Sequence, residues 1–110
     1  MALTLYGLKN CDTCKKAMKA LEAAGKTYEF VDIRAEADLA ALVPSWLESA
    51  GSDLLINRRS TTWRNLTEAE RETAPEALLV ANPTLVKRPV ITTGKHVHVG
   101  WSKDVQAALL

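Results

Sequence analysis

Hydrophobic positions change period several times along this chain, and each change marks an element. Within the opening "ALTLY", Leu3 to Tyr6 alternates and is rich in strand formers, which predicts a short strand. After a polar loop, Cys14, Ala17, Met18 and Leu21 recur at i, i+3, i+4 and i+7, the stripe of an amphipathic helix. Gly25 is a natural stop for it. "TYEFVDI" then returns to strand formers and places a second strand around Tyr28 to Asp32. Strand, helix and strand in this order form a βαβ unit, whose crossover makes the two strands parallel.

The middle of the chain is helical. Leu39, Leu42, Val43, Trp46 and Leu47 keep helical period, and Pro44 is expected to kink that helix or restart it. Thr67 with Glu70 and Thr73 with Glu76 both have capping-box spacing, and Pro75 suits a first turn. Asn82-Pro83 ends the last of these helices. "RPVITTGKHVHVG" reads as a β-hairpin turning at Thr93-Gly94-Lys95, and Ser102 caps a final helix carrying Val105, Ala108 and Leu109. The order βαβ, helical segment, ββα predicts an α/β fold of thioredoxin-like arrangement with a four-stranded mixed sheet. We expect one domain over 1–110 with a helical insertion at about 35–84.

Composition adds exclusions. A formal net charge of +1 argues against bulk attraction to nucleic acid or to an anionic membrane. No apolar stretch approaches a membrane span, and the start has no basic region followed by a hydrophobic one. A cytoplasmic location is therefore expected, where reducing conditions disfavour a purely structural disulfide.

That bears on "NCDTCKK" (Asn10–Lys16), which holds the chain's two cysteines. Their spacing across the first helical turn brings the Cα atoms to roughly 5–6 Å, within disulfide range. Cys11 falls at or just before the helix start, where unpaired N–H groups and the dipole favour a thiolate. Lys15 and Lys16 assist and Asp12 opposes. Cys14 shares the stripe of Ala17, Met18 and Leu21 and should face the core. The pattern suits an exposed nucleophile and a shielded resolving thiol, though a buried cysteine also packs as a small hydrophobe. A metal site would need two further ligands. His96 and His98 lie on one strand face, but H-x-H is not the usual partner of C-x-x-C, so no metal is expected.

Three stretches together carry a resemblance over essentially the whole chain: "LYGLKNCDTCKKAMKALE" (Leu5–Glu22), "LINRRSTTWRNL" (Leu55–Leu66) and "VKRPVI" (Val86–Ile91). They resemble the glutaredoxin-type arsenate reductase family, which includes the Spx regulators, and most closely its small YffB-like branch; "TTWR" is the branch-specific piece. The resemblance implies that Cys11 is the catalytic thiolate, that Arg88 holds an oxyanion or the thiolate, and that Pro89 is cis beside the cysteine loop. Lys9, Asn10, Arg58, Arg59, Arg64 and Pro89 are the substrate-binding candidates; the catalytic ones are Cys11, Cys14 and Arg88. Three departures matter. True arsenate reductases carry a histidine where this chain has Gly7, and arginines at the positions aligned with Asn57 and Gly100, so of that oxyanion-clasping trio Arg88 alone remains. A fourth is a gain: many relatives lack a cysteine at the Cys14 position, whereas Spx proteins have one.

The function these features imply is a thiol–disulfide oxidoreductase, a thiol reductase linked to glutathione or glutaredoxin, acting on a small anionic substrate or a mixed disulfide. Glutathione is the expected co-substrate, with no bound cofactor and a monomeric chain. The alternative is a redox-sensing regulator of the Spx kind that binds RNA polymerase without turnover. Trp46 and Trp63 are expected to line a core or groove, and Trp101 to cover a sheet edge.

Overall fold

The computed structural model describes residues 3–94 and 96–110. The chain divides into two compact units: one runs up to Ala37 and resumes from Arg88 to Leu110, and the other is Asp38–Lys87. Among the described residues no helix is long and apolar enough to cross a membrane.

The first unit holds the sheet. Strands β1 (Leu3–Gly7), β2 (Tyr28–Asp32), β3 (Val90–Thr92) and β4 (Val97–Val99) lie in the order β2-β1-β3-β4. β1 pairs with β2 in parallel, from Leu3 against Tyr28 to Gly7 against Asp32. It pairs with β3 antiparallel, Tyr6 opposite Val90. This is the four-stranded mixed sheet of the thioredoxin-like fold that the periodicity predicts. Helix α1 (Asp12–Ala23) is the crossover, and a later helix, Lys103–Leu109, begins at Ser102, whose hydroxyl accepts from the Val105 N–H. Leu3, Leu5, Ala17, Leu21, Ile91 and Leu109 form the buried cluster, flanked by Met18, Tyr28, Phe30, Trp101 and Val105. Trp101 thus packs against this cluster. The hairpin between β3 and β4 is closed by the Thr93 N–H donating to the His96 carbonyl; Lys95 of its expected turn lies outside the described residues.

In the second unit α2 (Leu39–Ala50) runs through Pro44 with no restart. Proline in a helix interior costs about 3 kcal/mol. Burial of Leu39, Val43 and Trp46 on one stripe, each contributing about 1.5–3 kcal/mol, holds the turns on both sides together while Pro44 itself stays exposed. Short helices follow: α3 (Ser52–Leu55), α4 (Thr61–Arg64), α5 (Glu68–Arg71) and α6 (Pro75–Ala81). The final helix of the chain, Lys103–Leu109, is therefore α7. At α5 the capping box is present, with Thr67 and Glu70 bonding reciprocally. At α6 the expected box is absent. Pro75 occupies the first helical position, which makes Ala74 the cap and leaves Thr73 one residue too early, so its hydroxyl donates back to the Ala69 carbonyl. α2 packs on α6, and Leu55, Ile56, Leu78, Leu79, Leu85 and Val86 are buried. An antiparallel bridge between Ile56 and Val86 ties the end of the unit to its middle, through Asn57 N–H to the Leu85 carbonyl and Lys87 N–H to the Leu55 carbonyl.

One close approach in the first unit is a requirement on sequence. A Cβ on Gly7 would lie 2.5 Å from Cys14 Sγ, so a side chain at position 7 would force Cys14 Sγ or α1 to shift. Gly7→Ala is therefore expected to cost about 1–3 kcal/mol of stability, as overpacking does. With Cys14→Ala in the background, Sγ is gone and Cys14 Cβ would be 3.4 Å away, an ordinary contact. Urea unfolding of the four proteins in this cycle should give a favourable coupling above about 0.5 kcal/mol; strictly additive effects would show that the contact does not exist.

Candidate active site

The register of the sheet brings the site together. Gly7 ends β1 opposite Asp32 of β2, and Pro89 stands just before Val90, the partner of Tyr6. The chain leaving β1 passes through Leu8, Lys9 and Asn10 to Cys11, the N-cap of α1, with extended backbone and no side-chain capping bond. The Cys11 N–H donates to the Leu8 carbonyl at 3.2 Å, which closes the loop into a turn. Cys11 is thus the residue at which the strand-to-helix turn meets the positive end of a 12-residue helix. It is half-buried, while Cys14 one turn on is fully buried on the stripe with Ala17 and Leu21.

Both thiols are free, and they lie within hydrogen-bonding reach of each other. Burial, foremost, pushes the Cys14 thiol up to about 12. A hydrogen bond with the Leu8 backbone opposes that rise, the Cys11 thiol adds to it, and the charge of Arg88 opposes it weakly. Cys14 is therefore a neutral thiol at ordinary pH. The peptide between Arg88 and Pro89 is cis, as the resemblance implies. Pro89 is fully buried, its carbonyl accepts from the Gly100 N–H at 2.8 Å, and Arg88 is half-exposed beside the cysteines.

Lys9, Asn10, Cys11, Cys14, Arg88 and Pro89 all belong to the first unit, whereas Arg58, Arg59 and Arg64 belong to the second. There Arg58 pairs with Asp53 at 3.4 Å and stands 5.4 Å from the Trp63 ring centre. Arg71 stands over the same ring at 5.1 Å and donates to the Trp63 carbonyl. Arg64, on α4 rather than in a loop, reaches the Thr61 hydroxyl. Trp63 is half-buried between these charges, and Trp46 is buried in its unit. Arg58 and Arg59 line an open pocket of about 460 Å³ with Asn57 and Lys87.

Sequence reading passes over a second pocket, of about 430 Å³, formed by Leu8, Lys9, Asn10, Asp32, Arg34 and Ala35. Asp32 and Arg34 carry no motif; only the β1–β2 register, which sets the end of β2 beside the end of β1, brings them there. His96 precedes β4 rather than lying in it, and its ring centre is 6.3 Å from that of His98. Among the described residues no group of three or more His, Cys, Asp or Glu side chains is placed to hold a metal ion.

Known proteins resemble this chain in sequence and in fold. An uncharacterized protein of Haemophilus influenzae is 41% identical, over 96% of this chain and 97% of its own. The global transcriptional regulator Spx of Listeria innocua is 30% identical, over 93% of this chain and 82% of its own. The solved structure of the YFFB protein superposes with a TM-score of 0.87 at 35% identity, covering 98% of each chain. The ArsC family model matches residues 6–109, so the match takes in the cysteine loop, the cis-proline segment and the whole sheet from Tyr6 onward. The chain belongs to the ArsC family.

Proposed function

We propose that the protein is a thiol–disulfide oxidoreductase, a glutathione-linked thiol reductase of the ArsC family, with Cys11 as nucleophile. The observation that carries this is the asymmetry of two neighbouring thiols: Cys11 half-exposed at a helix N-cap, Cys14 fully buried within hydrogen-bonding reach of it. Cys11 acts as its thiolate, the form of a thiol that attacks a disulfide. That thiolate attacks one sulfur of a disulfide, forming a Cys11 mixed disulfide and releasing the other half as a thiolate, which takes up a proton. Cys14 then loses its proton and attacks the Cys11 sulfur, expelling the second thiolate and leaving an internal Cys11–Cys14 disulfide. Two equivalents of glutathione, or a glutaredoxin dithiol in the reducing cytoplasm, return the pair to thiols and are themselves oxidised to a disulfide.

Arg88, in this reading, holds anionic sulfur or a substrate carboxylate beside the loop, and Lys9 and Asn10 act on the other side of Cys11. Arg58, Arg59 and Arg64 are the second unit's candidates for a substrate anion. Arsenate stands behind disulfides as a substrate, since one arginine of the trio that the resemblance implies cannot supply the several charge-assisted donors an oxyanion needs.

A second reading is favoured by a specific observation. The Spx relative is a transcriptional regulator, and a buried Cys14 beside Cys11 would also serve a switch that oxidises once without turning over. Repeated turnover with glutathione separates the two, as does retention on RNA polymerase.

Exposing the reduced protein to glutathione disulfide and measuring intact mass tests the enzyme reading. Wild type should pass to the internal disulfide, Cys14→Ser should stop at one glutathione adduct, and Cys11→Ser should react more slowly by about a hundredfold or more. An equally reactive Cys11→Ser protein would overturn the assignment.

The two steps should also differ in pH dependence. Burial remains after Cys11 is tied up in a mixed disulfide, so the Cys14 thiol stays high and only its small thiolate fraction attacks. Because its pKa lies far above neutral, that fraction rises about tenfold per pH unit. Stopped-flow release of glutathione from the Cys11 adduct should therefore accelerate steeply between about pH 7 and 10. A flat profile would mean that Cys14 is not the resolving thiol.

A further inference from the structure

The pocket on the β2 side of the Cys11 loop carries an unusual set of charges for its size. Lys9 and Arg34 bring two cations, Asp32 brings one carboxylate and Asn10 an amide, over the apolar Leu8 and Ala35. Neither cation is used up: among the described residues the salt bridge found is Arg58–Asp53, in the other unit. The carboxylate is fixed in place. Its Oδ1 accepts from the Arg34 N–H at 2.8 Å and from the Ala35 N–H at 2.9 Å, while the Asp32 N–H donates to Glu36 Oε1. Those two backbone bonds, Ala35's foremost, hold Asp32 below the usual carboxylate range, so it is charged at neutral pH. The other oxygen, Oδ2, accepts no hydrogen bond within the described residues.

A simple anion entering this pocket meets Asp32, and a simple cation meets Lys9 and Arg34. A group carrying carboxylate and ammonium on one carbon satisfies all three. We propose that the pocket is a subsite for the zwitterionic α-amino-acid end of a thiol substrate, the γ-glutamyl end of glutathione, with Lys9 and Arg34 taking its carboxylate and Asp32 its ammonium. The proposal rests on the thiol-reductase reading of Cys11. Reach is adequate: Lys9 is two residues before Cys11, so their Cα atoms are at most about 7.6 Å apart. In glutathione the γ-glutamyl α-carbon is about seven bonds from the sulfur, roughly 8 Å when extended. On the opposite side of the loop, Arg88 is left for the remaining carboxylate or the sulfur.

S-methylglutathione cannot react with a thiol, so its binding reads the subsite separately from chemistry. Amide chemical-shift titrations of the full chain would compare wild type, Arg34→Gln and Asp32→Asn, each with S-methylglutathione and with its N-acetyl derivative. The latter keeps the carboxylate but loses the ammonium. Asp32→Asn retains the Oδ1 acceptor of the turn and should stay folded. Loss of one charge-assisted contact should weaken S-methylglutathione by about tenfold in either variant. For the N-acetyl derivative the sign should split: Arg34→Gln weakens it, whereas Asp32→Asn tightens it by removing a repelling charge. Absence of binding to wild type, or an Asp32→Asn change of the same sign for both ligands, overturns the subsite. Predicted binding with a Cys11 inert to glutathione disulfide would instead sink the thiol-reductase reading and leave the subsite standing.

Discussion

Cys14 Sγ occupies the volume where a side chain on Gly7 would begin, and that contact organises the candidate site. It draws α1 down onto the end of β1 and carries Cys14 to zero exposure. Burial then keeps the Cys14 thiol protonated, while Cys11, a turn earlier and at the N-cap, stays half-exposed where the helix dipole acts. The difference between the two thiols therefore does not come from nearby charge along the chain, since Asp12 lies between them and Lys9 and Lys15 flank the pair. It comes from one packing contact between a strand end and a helix. A half-exposed thiol and a buried one three residues apart are what the proposed sequential attack requires, because two thiolates of equal exposure would compete for the same disulfide.

The ends of the strands supply the charge. Parallel pairing sets Asp32 against Gly7, and antiparallel pairing sets Pro89 just past the Tyr6–Val90 pair. The Cys11 loop is thus flanked by the Arg88–Pro89 segment on one side and by Lys9, Asp32 and Arg34 on the other. A net charge of +1 says nothing of this. What matters for a small ligand is the local pattern, since interactions over a few ångströms outweigh the field of a nearly neutral chain. Arg58 already shares its charge with Asp53 and the face of Trp63, so it has less to offer a ligand than Lys9 or Arg34.

Legibility in the sequence followed the range of the interaction involved. Local signals were plain: β2 has the bounds that "TYEFVDI" suggests, Thr67 with Glu70 makes its capping box, and Cys14 falls on the stripe with Ala17 and Leu21. Competing local signals were not. Thr73 and Pro75 each mark a helix start, and the proline prevails because its ring fixes the first helical position whereas a hydroxyl can find another acceptor. Pro44 reads as a kink or a restart, and the helix does not restart, because tertiary burial of Val43 and Trp46 on either side outweighs one lost backbone bond. Asp32 and Arg34 were invisible as site residues because their place depends on the pairing of two strands separated by a helix. The cis bond before Pro89 came from the resemblance; nothing in the spacing of "VKRPVI" indicates it.

Two departures from the arsenate reductase pattern, noted separately in the sequence, are one departure in space. The resemblance puts a histidine at position 7 and, in many relatives, no cysteine at position 14. Here Gly7 has no room even for a Cβ, because Cys14 Sγ would be 2.5 Å from it. With this helix placement a side chain on the strand requires Cys14 Sγ to give way. A cysteine at position 14 therefore crowds any side chain at position 7. Gly100, aligned with a lost arginine, has φ of +83°, a left-handed conformation that side chains other than glycine adopt only at a cost of about 1 kcal/mol or more. Its backbone is further held by the bond to the Pro89 carbonyl. A side chain at position 7 and the Cys14 sulfur thus compete for the same space at the end of β1, and in this chain the sulfur has it.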